Sequence, residues 1–284
     1  MQPIHKVLVV GTGTMGKQIS ILLASKGLEV ILKSRNEDAL QYSFKEINEQ
    51  LQQELQKQRL TTIQKRDIQS KITGITLFSE IDTADLVIEA IVEDIDQKKL
   101  LFQKMDSVIP INTIFASDTS SLSVTELSKV TNRQDKIIGL HFFNPASKMK
   151  LVEVVRGEST SQNTINVILN FLLYLEKIPI IVKDSPGFVV NRILFPMINE
   201  SIYTLMEGVA DKEAIDLGMK LGLNHPMGPL ELSDLIGLDI CLDVLNTLFN
   251  RTKDSKYKPC PLLIQMVENN HLGRKSKKGF YTYH

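Results

Sequence analysis

Six short apolar runs alternate with helix-period segments over the first two thirds of the chain. They comprise residues 6–10, 28–33, 72–77, 86–89, 114–117 and 137–141. Runs of this kind are typical of parallel strands that helices cover on both faces. Two further runs, 151–155 and 178–182, flank an amphipathic segment at 163–175 and extend the predicted sheet. The pattern predicts an α/β fold with a doubly wound sheet.

After residue 185 the alternation ends, and helical patterns at 188–207, 211–221, 229–249 and 261–269 follow. In a chain of 284 residues this change predicts two domains, 1–185 with the sheet and an all-α C-terminal domain over 186–284. The basic and then aromatic tail, 273–283, is expected to dock on the second domain. Residues 38–69 carry Ile47, Leu51 and Leu55 at helical spacing, which predicts a helical excursion out of the sheet domain.

Charge and cysteine content exclude several classes of partner. Lysine and arginine balance aspartate and glutamate at 33 each, so we expect neither nucleic acid nor a membrane as partner. Cys241 and Cys260 lack metal-ligand spacing, and no metal site is predicted. The N-terminal region shows neither a signal-peptide pattern nor the ~20 apolar residues that span a bilayer. We expect a soluble, cytoplasmic protein.

The segment GTGTMG follows the first predicted strand and opens a helix. Gly11, Gly13 and Gly16 supply the tight turn, the close approach to a pyrophosphate and the helix–strand packing of a dinucleotide loop. Thr14 and Met15 begin the helix and belong to the same predicted site. This context predicts a Rossmann-type domain that binds a nicotinamide dinucleotide.

The second strand ends in Ser34 and Arg35, where an NAD site would have an acidic residue for the ribose hydroxyls. A small hydroxyl beside a guanidinium suits a 2′-phosphate, and Lys33 could assist. We therefore favour NADP over NAD. In the alternative interpretation, Arg35 is a solvated cation, and Glu37 or Asp38 bonds the ribose of NAD.

His141 ends a predicted strand, where the carboxyl ends of parallel strands face the ligand crevice. Glu153 on the next strand is a candidate partner that would fix the tautomer of the imidazole. Asn144 and Pro145 would shape the turn between them. A histidine acid/base facing a nicotinamide indicates hydride transfer to or from a hydroxyl-bearing carbon. A packed or surface histidine is the alternative.

Two other polar side chains, Ser120 and Asn191, could reach the same substrate oxygen. Spacing alone leaves other roles open. Ser120 could be a turn or N-cap hydroxyl, and Asn191 an amide on a helix face.

Eight segments together resemble the 3-hydroxyacyl-CoA dehydrogenases, particularly the short bacterial 3-hydroxybutyryl-CoA type: GTGTMG, DLVIEAIVED, ASDTSSLS, GLHFFNP, LVEVV, DSPGFVVNR, HPMGPLELSDLIGLD and GRKSKKGFYTY. The resemblance implies interconversion of a 3-hydroxyacyl thioester and its 3-oxoacyl form, and a homodimer. It also implies roles for individual residues: a catalytic pair (His141, Glu153), contacts to the substrate oxygen (Ser120, Asn191) and the nicotinamide side of the cofactor site (Glu93, Lys98).

The chain departs from the family pattern at three positions. The family usually has Asp at Ser34 and Asn at Asp118, and Gln53 stands where relatives often have a lysine for the coenzyme A phosphates. Lys57 and Arg59 lie nearby and, with Asn144, are the expected substrate-binding residues.

Two alternatives remain open, the first of which follows from these departures. The hydroxyacyl group could be carried on an acyl carrier protein, as in relatives from polyketide pathways. A non-catalytic structural or sensory protein that binds the cofactor is the alternative from another class.

Overall fold

The computed structural model describes residues 4–283. The chain forms two compact units, one ending at Asp184 and the other beginning at Ser185, one residue before the predicted boundary. Each unit encloses its own cluster of buried apolar side chains, as independent domains do.

The first unit is built on an eight-stranded sheet. Its strands are β1 Lys6–Val10, β2 Glu29–Lys33, β3 Ile72–Ile75, β4 Leu86–Glu89, β5 Ile114–Ser117, β6 Ile137–Phe142, β7 Leu151–Arg156 and β8 Ile178–Lys183. They are ordered β3-β2-β1-β4-β5-β6-β7-β8. All neighbouring pairs from β3 to β6 are parallel. Val7, Leu8 and Val9 are completely buried, so both faces of the central strand are covered and the predicted doubly wound α/β fold is confirmed.

The end of the sheet departs from parallel pairing. β7 runs antiparallel to β6, and β8 is again parallel to β7. Only residues 143–150 join β6 to β7. Because a parallel crossover needs a dozen or more residues, this short connection forces the chain to reverse.

Six helices accompany the sheet: α1 Thr14–Ser25, α2 Glu37–Gln56, α3 Thr62–Ser70, α4 Ile95–Val108, α5 Val124–Ser128 and α6 Gln162–Tyr174. The predicted excursion corresponds to α2 and α3, but it does not leave the sheet domain. Leu40, Ile47 and Leu51 of α2 are buried in the core of the first unit, because their spacing gives the helix one apolar face.

The second unit is helical, as predicted, with α7 Val190–Met206, α8 Lys212–Gly222, α9 Pro229–Ile236, α10 Leu238–Thr252 and α11 Pro261–Glu268. The predicted helix at 229–249 is two helices, because Gly237 adopts a φ of 108° that ends α9. The tail docks through Asp234, whose carboxylate accepts hydrogen bonds from the backbone N–H groups of Phe280 and Tyr281.

Candidate active site

His141 and Glu153 face each other across two antiparallel strands. The register of β6 and β7 pairs them directly. Nδ1 of His141 lies 2.6 Å from Oε2 of Glu153, and the carboxylate is completely buried. A carboxylate at Nδ1 fixes the tautomer and orientation of an imidazole, so that Nε2 is the nitrogen that exchanges a proton with a ligand. The arrangement is that of an acid–base dyad, and we call these two residues the dyad.

The glycine loop lies at the carboxyl end of β1, as the sequence predicts. Gly11 has a φ of 124°, and a Cβ there would lie 2.4 Å from the carbonyl oxygen of Ala90. A Cβ on Gly16 would lie 2.0 Å from the carbonyl oxygen of Gly11. Gly13 is the N-cap of α1, and a Cβ there would meet no atom within 4 Å. Two of the glycines therefore allow close backbone packing, and the third leaves the N-terminus of α1 open to a ligand.

A groove of about 700 Å³ passes over this loop. Its lining comes from the segments that follow four neighbouring strands and from α4, and it includes Gly11, Gly13, Thr14, Met15, Lys33, Ser34, Arg35, Ala90, Ile91, Asp118 and Leu101. Since the strand order reverses beside β1, the groove lies at the switch point where doubly wound sheets bind dinucleotides. The β2 side suits the adenosine half of a dinucleotide, and the β4–β5 side suits its nicotinamide half.

Ser34 and Arg35 lie at the β2 end of the groove. Ser34 is 1% exposed, and its Oγ has no hydrogen-bond partner within residues 4–283. An unpaired buried hydroxyl costs about 1–3 kcal/mol, which a ligand oxygen would relieve. Arg35 is exposed. The amine of Lys33 lies 4.8 Å from the ring centre of Phe78, and burial and then repulsion by Lys104 lower the pKa of Lys33.

The acidic residues of the alternative interpretation lie elsewhere. Glu37 and Asp38 are exposed in the first turn of α2, and neither lines the groove. Glu37 accepts a hydrogen bond from Gln41.

The carboxylate of Glu93 accepts several hydrogen bonds from residues 119–121, the segment that follows β5. Its Oε1 accepts hydrogen bonds from the Thr119 hydroxyl at 2.6 Å, and from the backbone N–H groups of Ser120 and Ser121 at 2.9 and 3.1 Å. The hydroxyl of Ser120 lies 3.2 Å from the same oxygen. Burial acts to raise the pKa of Glu93, but Lys98 and these donors outweigh it and the pKa is lowered. Glu93 is therefore a carboxylate that fixes the position of Ser120.

Lys98 is completely buried. Its amine lies 2.6 Å from Oε1 of Glu89 and 3.4 Å from Oε2 of Glu93. Glu89 also accepts from the Ser117 hydroxyl at 2.6 Å. Glu89 was not among the predicted site residues, although a carboxylate that closes an apolar strand was a signal for it. Lys98 is completely buried and does not line the groove, so it acts on the site through its contacts with Glu89 and Glu93.

Asp118 lines the groove at the end of β5. Its Oδ1 accepts a hydrogen bond from the backbone N–H of Phe142 at 2.9 Å. Burial raises the pKa of Asp118 well above its ordinary value, and the carboxylates of Glu89 and Glu93 add to this effect. The Phe142 N–H and Lys98 act in the opposite direction without cancelling it.

The remaining predicted residues lie on a turn, after a helix and in the second unit. Asn144 is exposed on the turn between β6 and β7, where its Oδ1 accepts a hydrogen bond from Gln18. Lys57 and Arg59 follow the end of α2, are exposed, and lie 3.9 and 3.4 Å from the carboxylate of Glu54. Asn191 is in the first turn of α7, in the second unit.

Residues 4–283 contain no cluster of three or more His, Cys, Asp or Glu side chains that could hold a metal ion. Within the same range, every helix is too short or too polar to span a membrane.

The glycine loop, the groove at the switch point and the dyad define a nicotinamide-dependent oxidoreductase. The residues fit the cofactor, since Gly11 and Gly16 allow the close backbone packing of the loop and Ser34 offers an unpaired buried hydroxyl.

Comparison with known proteins defines the family. Residues 6–185 match the NAD-binding domain model of 3-hydroxyacyl-CoA dehydrogenase, and residues 187–283 match its C-terminal domain model. The chain is 47% identical to the 3-hydroxybutyryl-CoA dehydrogenase of Clostridioides difficile, with 98% of this chain and 99% of the relative covered. It is 45% identical to the probable 3-hydroxybutyryl-CoA dehydrogenase of Bacillus subtilis, with coverage of 99% and 98%.

A solved structure supports the same family. The crystal structure of the (S)-3-hydroxybutyryl-CoA dehydrogenase of Ralstonia eutropha superposes on this chain with a TM-score of 0.95 and is 44% identical in sequence, with 99% of each chain covered. The chain belongs to the 3-hydroxyacyl-CoA dehydrogenase family, and the family predicted from its sequence is confirmed.

Proposed function

We propose that the protein is a 3-hydroxybutyryl-CoA dehydrogenase that uses NADP(H) in preference to NAD(H). The 2.6 Å contact between His141 and Glu153, on two strands of the same sheet that carries the dinucleotide groove, supports the activity. The names and near-complete coverage of the similar proteins support coenzyme A as carrier and a short acyl group.

Each residue of the dyad has a distinct part in the proposed reaction. In the direction of oxidation, Nε2 of His141 takes the proton of the C3 hydroxyl while the C3–H bond breaks and a carbonyl forms. The bound nicotinamide supplies the chemistry of hydride acceptance. Glu153 stabilises the imidazolium that results, and in reduction the same proton returns to the alkoxide oxygen. General acid–base catalysis of this kind contributes about 10²- to 10⁴-fold to the rate.

We assign the contacts to the substrate oxygen to Ser120 and Asn191. Ser120 suits this part because Oε1 of Glu93 accepts hydrogen bonds from Thr119, Ser120 and Ser121, and these bonds fix the position of the Ser120 hydroxyl. Lys57 and Arg59 are exposed cations that pair with Glu54, and because an exposed ion pair is worth only about 0–1 kcal/mol, the phosphates of coenzyme A could replace Glu54 as their partner. Asn144 would contact the ligand from the turn.

The preference for NADP rests on the β2 end of the groove. Ser34 and Arg35 offer a hydroxyl and a guanidinium, and among the described residues that line the groove the one carboxylate, Asp118, lies at the other end, after β5. Arginine binds phosphate oxygens by charge-assisted hydrogen bonds, and an unopposed cation favours the additional dianion of NADP.

The proposed function is tested by reduction of acetoacetyl-CoA with each cofactor. We expect kcat/KM to be at least about tenfold higher with NADPH than with NADH, the equivalent of one charge-assisted hydrogen bond. A ratio below one would reject the NADP preference. Turnover only with an acyl carrier protein substrate would reject coenzyme A as carrier. Tight cofactor binding without turnover of either substrate would instead support a non-catalytic role.

We also propose a homodimer. Leu217, Leu221 and Leu223 of the second unit are 52, 77 and 62% exposed, and a second copy would remove them from water. Light scattering should give twice the 32.0 kDa mass of one chain, and a monomeric mass at micromolar concentration would contradict the proposal.

A further inference from the structure

The turn between the two strands of the dyad is held by side chains from outside it. We define this dyad turn as residues 143–150. Oε1 of Gln18 accepts a hydrogen bond from the backbone N–H of Ala146 at 2.8 Å, and Nε2 of Gln18 donates to Oδ1 of Asn144 at 3.0 Å. From the other side, the amine of Lys177 donates to the carbonyl oxygens of Ala146 and Met149 at 2.5 and 2.8 Å.

Gln18 belongs to the helix that the dinucleotide loop opens. α1 begins at Thr14, directly after its N-cap Gly13, and Gln18 follows one helical turn later. Both Gly13 and Thr14 line the groove. Because one turn of an α-helix is rigid, a ligand that orders the first turn of α1 also orders the backbone that carries Gln18.

The dyad turn connects the strands that carry His141 and Glu153. The side-chain amide of Gln18 therefore contacts the dyad turn at two points, once as donor and once as acceptor. The two contacts span 126 and 128 residues of sequence and join the cofactor side of the first unit to its catalytic side.

We propose that Gln18 is a positioning residue that couples occupancy of the dinucleotide groove to the order of the dyad turn, and thereby to the placement of the dyad. The proposal rests on the proposed function only in requiring that the groove binds a nicotinamide dinucleotide. It assigns Gln18 no contact with substrate or with the reacting atoms.

The size of the coupling follows from the two hydrogen bonds. The net contribution of one such hydrogen bond corresponds to about a 2- to 12-fold change in the equilibrium constant between the ordered and the disordered dyad turn. Coupling between two events is reciprocal. The factor by which the dinucleotide favours the ordered turn therefore equals the factor by which an ordered turn favours dinucleotide binding.

Amide hydrogen exchange of the intact protein tests the coupling without turnover. We would compare peptides covering 11–17 and 143–150 with and without saturating NADPH, and separately NADH, in the wild type and in Gln18→Leu. In the wild type, nucleotide should slow exchange in both peptides, by at least about 2-fold in the dyad turn. In Gln18→Leu, the slowing should remain at 11–17 and disappear at 143–150.

Binding of the same nucleotides supplies the second measurement. The dissociation constant of the nucleotide, measured by its fluorescence, should be higher in Gln18→Leu than in the wild type. The ratio of the two constants should equal the factor by which nucleotide slows exchange at 143–150 in the wild type. Gln103→Leu is the matched control, because Gln103 is an exposed glutamine on α4, and it should behave as the wild type. Gln18→Ala removes the same two bonds and replaces Gln18→Leu if that variant does not fold.

The outcomes separate this proposal from the proposed function. Equal slowing of the dyad turn in the wild type and in Gln18→Leu would overturn the role of Gln18. Slowing at 11–17 without any change at 143–150 in the wild type would overturn the coupling and leave the cofactor site intact. If neither nucleotide slowed exchange at 11–17, the cofactor site and the coupling would both be rejected.

Discussion

The amine of Lys98 lies 2.6 Å from Oε1 of Glu89, and both side chains are completely buried. Glu89 closes β4, and Lys98 also lies 3.4 Å from Glu93, which holds Ser120. The pair is therefore an internal support for the segment that carries a proposed substrate contact. Removing one partner of a buried ion pair leaves an uncompensated charge, which is strongly destabilising.

Lys98→Met should lower the free energy of unfolding of the first unit by about 3–5 kcal/mol. Urea denaturation measures this change. Lys99→Met is the control, because Lys99 pairs with Glu126 at the surface, where a pair is worth about 0–1 kcal/mol. Equal stability of the two variants would contradict the support that we assign to Lys98.

Arg35→Leu should change cofactor preference and leave the dyad unaffected. Loss of the guanidinium removes charge-assisted bonds to a 2′-phosphate, so we expect kcat/KM with NADPH to fall by about 10- to 150-fold. The value with NADH should change by less than about twofold. The control is Arg66→Leu, on α3 and outside the groove lining. An equal loss with both cofactors would show that Arg35 does not recognise the phosphate.

Asp118→Asn should remove a pH dependence of stability. Because burial raises the pKa of Asp118 in the native protein, the native state retains a proton that the unfolded chain releases near pH 4. The stability contributed by this proton falls as the pH rises from about 4 to the native pKa. Asn keeps the acceptor for the Phe142 N–H and stays neutral.

Denaturation at about pH 5 and about pH 8 measures this effect. The stability of Asp118→Asn relative to the wild type should be greater at the higher pH. The wild type loses the stabilisation by the retained proton as the pH rises, whereas the asparagine does not titrate. A difference that is the same at both pH values would mean that Asp118 titrates normally.

Asp234→Ala should release the C-terminal tail. Asp234 accepts hydrogen bonds from the backbone N–H groups of Phe280 and Tyr281 and from the hydroxyl of Tyr283. Leaving buried donors unpaired costs about 1–3 kcal/mol each, so we expect the second unit to lose at least about 2 kcal/mol.

Limited proteolysis of the tail, alongside denaturation, measures this release. The control Asp243→Ala alters an exposed carboxylate on α10 and should leave the tail protected. Unchanged protection in Asp234→Ala would show that other contacts hold the tail.

Local sequence patterns were sufficient to predict much of the fold and to identify the two residues of the dyad. The strand–glycine–helix segment at Gly11 is a continuous motif, and His141 and Glu153 occur on consecutive apolar runs joined by a short turn. Whether they face each other depends on register, and in the structure they are direct partners. Helices with one apolar face and Pro or Gly boundaries were predicted for the same reason.

Features that depend on packing between elements or on the backbone conformation of one residue escaped prediction. The amide of Gln18 contacts a turn that lies more than a hundred residues away, and no local pattern marks such a contact. Lys98 has the sequence of an exposed helix position, but its side chain is completely buried, with the amine against Glu89 at the end of β4. The break at Gly237 required its backbone conformation, since the apolar spacing continues across it.

In the proposed reaction His141 exchanges the substrate proton and takes no part in binding the cofactor. One comparison of His141→Gln with the wild type tests this role, with the dissociation constant of NADPH measured beside turnover of acetoacetyl-CoA. We expect the dissociation constant to change by less than about twofold and kcat to fall by about 10²- to 10⁴-fold. Turnover within about tenfold of the wild type, with cofactor binding intact, would contradict the assignment of His141 as the catalytic acid–base.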